Sequence, residues 1–142
     1  ALVQANFSQL EKWDPNETLR IESDHVAMTR EAAGRGARLV VWSESSVPLS
    51  ITKSPGYEQR LTELTRQTGA DLVVGTVAYE NRSGEQTPFN SVVLVRPGSG
   101  VTGRYDKMRL VPFGEYVPLK SYLFFLEPLV HEASDFQPGD LD

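Results

Sequence analysis

The run Arg38-Leu39-Val40-Val41-Trp42, broken at once by Ser43-Glu44-Ser45-Ser46-Val47-Pro48, decides how this chain is read. The run is too short for a helix and β-branched at its centre, so it predicts a strand. Continuous apolar character suits a strand covered on both faces. Upstream, Asp14-Pro15-Asn16-Glu17 carries a helix start, with Asp14 as cap, Pro15 at the first helical position and Glu17 three residues after the cap. The helix is expected to reach about Ala33, with Leu19, Val26 and Ala33 on its buried face and Gly34 and Gly36 ending it. Before it, Ala1 to Phe7 reads as a strand. Downstream, Ser54-Pro55 opens a second helix with Tyr57, Leu61 and Leu64 inward, Gly69 closes it, and Asp71 to Tyr79 forms a third strand. The order β-α-β-α-β predicts an α/β sheet with parallel neighbours and helices packed on it.

Beyond Tyr79 the pattern changes. Asn81 to Pro88 reads as a polar turn, Asn90 to Val95 as a strand, Arg96 to Gly100 as a second turn and Val101 to Tyr105 as a short strand. These strands are expected to form antiparallel hairpins, which makes the sheet mixed. Gly98-Ser99-Gly100-Val101-Thr102-Gly103 matches G-x-G-x-x-G, but a dinucleotide site needs that pattern to open a helix. Strand-forming residues follow it here, so it reads as a hairpin turn. Ser121 to Val130 is apolar but too short to span a bilayer, and suits a buried helical turn or an interfacial segment.

Composition narrows the function classes. The 142 residues suit one domain or part of one, and strand character at Ala1 suggests a domain cut from something longer. A net charge of −5 without a basic stripe argues against nucleic acid as a partner. No apolar run approaches membrane-spanning length, and no signal peptide is visible. The absence of cysteine excludes disulfides, thiolate metal sites and a cysteine nucleophile within these residues. His25, expected at or near the surface of the first helix, and His131 lack ligand spacing, so neither a metal nor a cofactor is predicted. Two glycosylation-type triplets, at Asn16 and Asn81, carry no weight.

Two places carry chemistry. Glu44 lies just past the C-terminal end of an apolar strand, where open α/β sheets place their ligand sites. Ser45 and Ser46 lack a G-x-S-x-G elbow and read as turn hydroxyls. Tyr105 to Pro118, Y-D-K-M-R-L-V-P-F-G-E-Y-V-P, follows another strand, stiffened by two prolines and turned at Gly114. Lys107 and Glu44, 63 positions apart, can meet in one cleft as a general base and an oxyanion-stabilising ammonium, with Glu115 orienting the lysine. Spacing alone leaves the alternative open: a solvated acid, and a lysine weakly paired with Asp106 or Glu115.

These residues resemble the carbon–nitrogen hydrolase (nitrilase) superfamily, whose catalytic set is Glu, Lys and Cys. They are most similar to one branch, the bacterial apolipoprotein N-acyltransferases. The likeness is carried by Val3-Gln4-Ala5-Asn6, Lys12-Trp13-Asp14, W-S-E-S-S-V-P at Trp42 to Pro48, Phe89-Asn90-Ser91, the whole Tyr105 to Pro118 stretch, and Phe136-Gln137-Pro138-Gly139. It implies one truncated domain over residues 1–142, part of a nitrilase-type α-β-β-α sandwich. Glu44 matches the family's general base, Lys107 its transition-state lysine and Glu115 a supporting glutamate. Ser43 stands where the branch usually has proline. The cysteine has no counterpart, so these 142 residues alone are expected to be inactive. The implied reaction takes an acyl chain from phospholipid through a cysteine thioester to the N-terminal amine of a diacylglyceryl-cysteine lipoprotein. It implies a periplasmic domain held at the inner membrane by flanking segments. A soluble amidase acting on a small amide, or a non-catalytic binding domain of the same fold, would share most of these features.

Overall fold

The computed structural model describes residues 1–8, 11, 14–82, 84–116 and 135–140. The elements run β1 (Leu2–Val3), α1 (Thr18–Gly34), β2 (Leu39–Trp42), α2 (Tyr57–Thr68), β3 (Asp71–Arg82), β4 (Glu85–Arg96) and β5 (Gly100–Asp106). They build one five-stranded sheet in sequence order. β2 pairs in parallel with β1 and β3, each reached through a helix, and β3, β4 and β5 form antiparallel hairpins. The predicted mixed α/β sheet is what forms.

Both helices pack on one face. Ile21 of α1 and Tyr57, Leu61 and Leu64 of α2 join Val40, Trp42, Leu72, Val74, Val93 and Val95 in a single buried cluster. Each such side chain contributes about 1.5–3 kcal/mol by leaving water. Glu22 and Arg60 tie the helices together through two hydrogen bonds, 2.7 and 3.0 Å, with the carboxylate buried. α2 has the predicted inward residues, and Gly69 ends it in the left-handed region at φ 66°. The glycine motif is a hairpin turn, with Gly98 and Gly100 at positive φ and Gly103 inside β5.

Several expectations are corrected. β2 is not covered on both faces: Val40 and Trp42 are buried, while Leu39 is 47% exposed and Val41 half-buried. Its apolar run conceals an alternating strand, because among the described residues helices cover only one side of the sheet. The inward stripe of α1 is only partly the expected one. Val26 and Ala33 pack against the core, but Leu19 is exposed, and the fully buried residues are Ile21, Glu22, His25 and Thr29. Polar side chains hid that face from an apolar count, and they are accommodated by hydrogen bonds. Thr29 Oγ1 donates to His25 O at 2.8 Å and accepts from Trp42 Nε1 at 2.8 Å. His25 is therefore a core residue, its ring 4.9 Å from that of Trp42 and its Nδ1 2.8 Å from Ile21 O.

Asp14 does not cap the helix. Its carboxylate accepts from Asn16 N and Nδ2, both at 2.9 Å, forming a turn ahead of the N-terminal position, which Glu17 occupies without a side-chain cap. β1 is only two residues long, and Asn6 at φ 55° turns the chain away from the sheet. The expected turn over 81–88 is mostly strand: β3 and β4 remain paired out to Arg82 and Glu85, with Gly84 at φ 90°. Strands that overrun the helices need no apolar face, so their polar residues imitate a loop. Lys12, Trp13, Val117, Pro118, the apolar run Ser121 to Val130 and His131 lie outside the described residues. No described helix is long and apolar enough to cross a membrane.

Candidate active site

Two loops leaving strand ends bring the acidic and basic groups together. The first leaves β2 at Trp42 and turns through Ser45, at φ 43°. It crosses β3 over Gly75, where a Cβ would sit 2.7 Å from Ser45 N and 2.8 Å from both Glu44 Cα and Ser43 O. Only a glycine lets the loop lie this close, and Val47, buried, pins its far end into the core. Ser46 is also buried.

The second loop follows β5. Lys107 N donates to Asn90 O at 2.8 Å, the last rung before the chain departs. Gly114 N and Glu115 N both donate to Val111 O, and Phe113 N donates to Tyr116 O at 2.7 Å. The left-handed residue in this turn is Phe113, at φ 62°, not Gly114. Glu115 closes the loop onto itself, its Oε2 accepting from Val111 N at 2.7 Å. Residues 136–139 brace this loop against β4. Phe136 N donates to Glu115 O, Gln137 N to Pro88 O and Gly139 N to Lys107 O, at 3.0, 3.0 and 3.1 Å. Behind Lys107, Asp106 is held by Ser91 Oγ at 2.5 Å and by a two-pronged contact from Arg104.

All three residues singled out in the sequence meet. Lys107 Nζ lies 3.2 Å from Glu44 Oε1 and 3.1 and 3.0 Å from the two oxygens of Glu115. The carboxylates differ in setting: the Glu115 side chain is 13% exposed and that of Glu44 61%. Burial alone would pull the Lys107 ammonium down. Hydrogen bonds and charge from Glu115 and Glu44 outweigh it and hold the pKa above the usual lysine value. Burial would push Glu115 up, but the Val111 N–H, the Asn90 amide and Lys107 together hold it below the usual carboxylate range. Lys107 and Glu115 are thus an ion pair across the neutral range. A shallow cavity of about 300 Å³ is lined by Glu44, Asn90 and Lys107 together with Val41, Val73, Val92 and Tyr105.

Sequence reasoning missed Asn90 as a site residue. Its Nδ2 donates to Glu44 Oε1 at 2.6 Å and to Glu115 Oε1 at 2.5 Å. The available signal was a buried polar pair, Asn90-Ser91, interrupting the apolar rhythm of β4. Among the described residues no group of three His, Cys, Asp or Glu side chains could hold a metal ion.

Comparison with known proteins agrees with this architecture. Residues 1–135 match the family described as Carbon-nitrogen hydrolase. An apolipoprotein N-acyltransferase of Geobacter metallireducens is 40% identical over 98% of this chain and 27% of that protein. One from Pseudomonas syringae pv. tomato is 35% identical over the whole chain and 28% of its own length. The chain thus spans little more than a quarter of these relatives. Among solved structures, an amidase from Nesterenkonia sp. superposes with a TM-score of 0.58 at 20% identity, over 99% of this chain and 47% of that one. A carbon-nitrogen hydrolase from Helicobacter pylori G27 gives 0.56 at 16% identity, over 99% and 44%. Both likenesses concern the fold alone.

Proposed function

This chain belongs to the carbon–nitrogen hydrolase family, and we propose that it supplies the Glu–Lys–Glu part of a cysteine-dependent acyl-transfer site in an apolipoprotein N-acyltransferase. The observation that carries this reading is the Lys107 ammonium seated between two carboxylates that come from distant parts of the chain. Identity of 35–40% to proteins named for that activity supports the branch. The 142 residues contain no cysteine, so this reading requires a nucleophile from residues outside them.

In this reading Glu44 is the general base and Glu115 is not. Glu115 is mostly buried and its oxygens are occupied by Val111 N, Asn90 and Lys107, whereas Glu44 is open enough to approach an incoming thiol. Glu44 takes the thiol proton as sulfur attacks the ester carbonyl of a phospholipid, and Lys107 stabilises the oxyanion that develops. The C–O bond breaks, the lysophospholipid leaves with a proton, and the acyl chain remains as a thioester. The α-amino group of a diacylglyceryl-cysteine lipoprotein then attacks that thioester, the C–S bond breaks, Glu44 passes the proton lost by the amine to the departing sulfur, and an amide and the free thiol result. The proposed setting is the periplasmic side of an inner membrane, with this domain held there by flanking segments.

The test uses the full-length protein with a phospholipid donor and a diacylglyceryl-cysteine peptide acceptor. Glu44→Gln and Lys107→Ala should each lower transfer by at least about 10²-fold while the protein stays folded. Retained transfer in either variant removes that residue from the mechanism. Turnover of a small soluble amide in place of the lipid donor would move the protein to the amidase side of the family.

A further inference from the structure

Two carboxylates that share one ammonium present an electrostatic difficulty. Like charges this close favour retention of a proton by one of them, and the lysine that neutralises them is needed elsewhere once an oxyanion forms. A second donor that carries no charge would resolve both difficulties. Asn90 has the geometry for it. Its Nδ2 is the one side-chain nitrogen among the described residues, apart from Lys107 Nζ, that hydrogen-bonds both Glu44 and Glu115. The same residue also holds the lysine through its backbone, Asn90 O accepting from Lys107 N. The amide orientation is fixed by chemistry, because a flipped group would aim its carbonyl oxygen at two carboxylates. Asn90 is buried in β4, paired with Val77 of β3, so its own position is set by the sheet rather than by the loops it contacts.

We propose that Asn90 is the positioning residue of this site: its amide bridges Glu44 and Glu115 and keeps both carboxylates in place when Lys107 turns to the developing oxyanion. The role rests on the acyl-transfer reading above only where turnover is concerned. The groups facing the Asn90 amide are Glu44 from the loop after β2 and Lys107 and Glu115 from the loop after β5. Glu115 reports on it directly, since the Asn90 hydrogen bond is one of the contacts that hold its pKa down. A purely structural asparagine would affect the folded fraction and nothing else. A positioning asparagine affects kcat and the titration of Glu115 in protein that is fully folded.

The experiment compares Asn90→Leu, which keeps the size and removes the donors, with Asn90→Asp, which keeps the shape and puts a third acid into the cluster. Both are made in the full-length protein and checked for folding by thermal unfolding. Asn90→Leu should lower kcat by about 10²-fold with KM changed by less than about threefold. The Glu115 carboxyl, followed by carbon-13 NMR of labelled glutamate, should titrate at higher pH in that variant. Asn90→Asp should be worse than Asn90→Leu at neutral pH and regain activity as pH falls and a carboxyl in the cluster takes a proton. The proposal is overturned if folded Asn90→Leu keeps kcat within about twofold, or if Glu115 titrates as in the parent protein. The titration needs no turnover. It therefore decides the role of Asn90 even if Glu44→Gln remains active and the acyl-transfer reading itself fails.

Discussion

The two faces of the sheet are built from the same strands and used for opposite purposes. Leu39 and Val40 are adjacent in β2, yet Val40 is fully buried beneath the helices and Leu39 looks outward, 47% exposed. Val92 and Val93 in β4 divide in the same way, as pleating requires. The helix face spends its apolar residues on the core. The other carries Val41, Val73, Val92 and Tyr105 up to the Glu44–Asn90–Lys107 end, so its side chains line the candidate site. Stability and chemistry are thus assigned to alternate residues of one strand, and substitutions on the two faces should separate them.

The largest effect is expected on the helix face. Trp42→Ala removes a buried indole and leaves Thr29 Oγ1 without its donor, and should cost about 3–5 kcal/mol by urea unfolding. A loss below about 1 kcal/mol would mean that the core does not depend on this face. Gly75→Ala comes next, and it acts across the boundary. Its Cβ must displace the backbone of Ser43 to Ser45, which costs about 1–3 kcal/mol and moves Glu44. The proposed acyl transfer, measured in the full-length protein, should fall by about 10²-fold, more than the lost stability explains at a temperature where the variant is folded. Unchanged transfer would show that Glu44 tolerates displacement and is not held by the sheet.

A smaller effect concerns pH. Glu115 titrates below its ordinary value in the folded state, so its contribution is present above the ordinary glutamate range and is lost as pH falls through the folded value. Lys107 is raised, so its contribution is present below the ordinary lysine value and is lost as pH rises through the folded one. The stability gap between the parent and Glu115→Gln should stay constant from about pH 6 to 9, at no more than about 1 kcal/mol, and close below about pH 4. A gap that persists in acid would assign the stabilisation to packing of the loop rather than to the ion pair.

The same division explains what could be read from the sequence. Glu44 and Lys107 were legible because each directly follows a strand-like run, and Glu115 because prolines bracket a turn too stiff to be a helix. The end of α2 was legible because Gly69 takes a conformation other residues resist. The buried stripe of α1 was legible only at Val26 and Ala33, since His25 and Thr29 enter the core as hydrogen-bonded polar groups that an apolar period does not register. Not legible was the outer half of the β3–β4 hairpin, where Asn81, Arg82, Glu85 and Gln86 are exposed and polar residues are allowed. Asn90 escaped for a related reason: a polar residue inside a strand has meaning only once the strand's face and its neighbours across the loops are known.

The smallest prediction tests the exposed face itself. Leu39→Thr keeps strand propensity while removing apolar area from a position that is already half in water. In the 142-residue chain it should change stability by no more than about 0.5 kcal/mol, as surface substitutions do. The same substitution in the full-length protein is the sharper measurement. A cost there of about 1 kcal/mol or more, against almost none in the shorter chain, would show that this side of the sheet is covered in the whole protein. The contrast between the two faces would then be one between two cores, with the Glu44–Asn90–Lys107 cluster lying at the edge of the second.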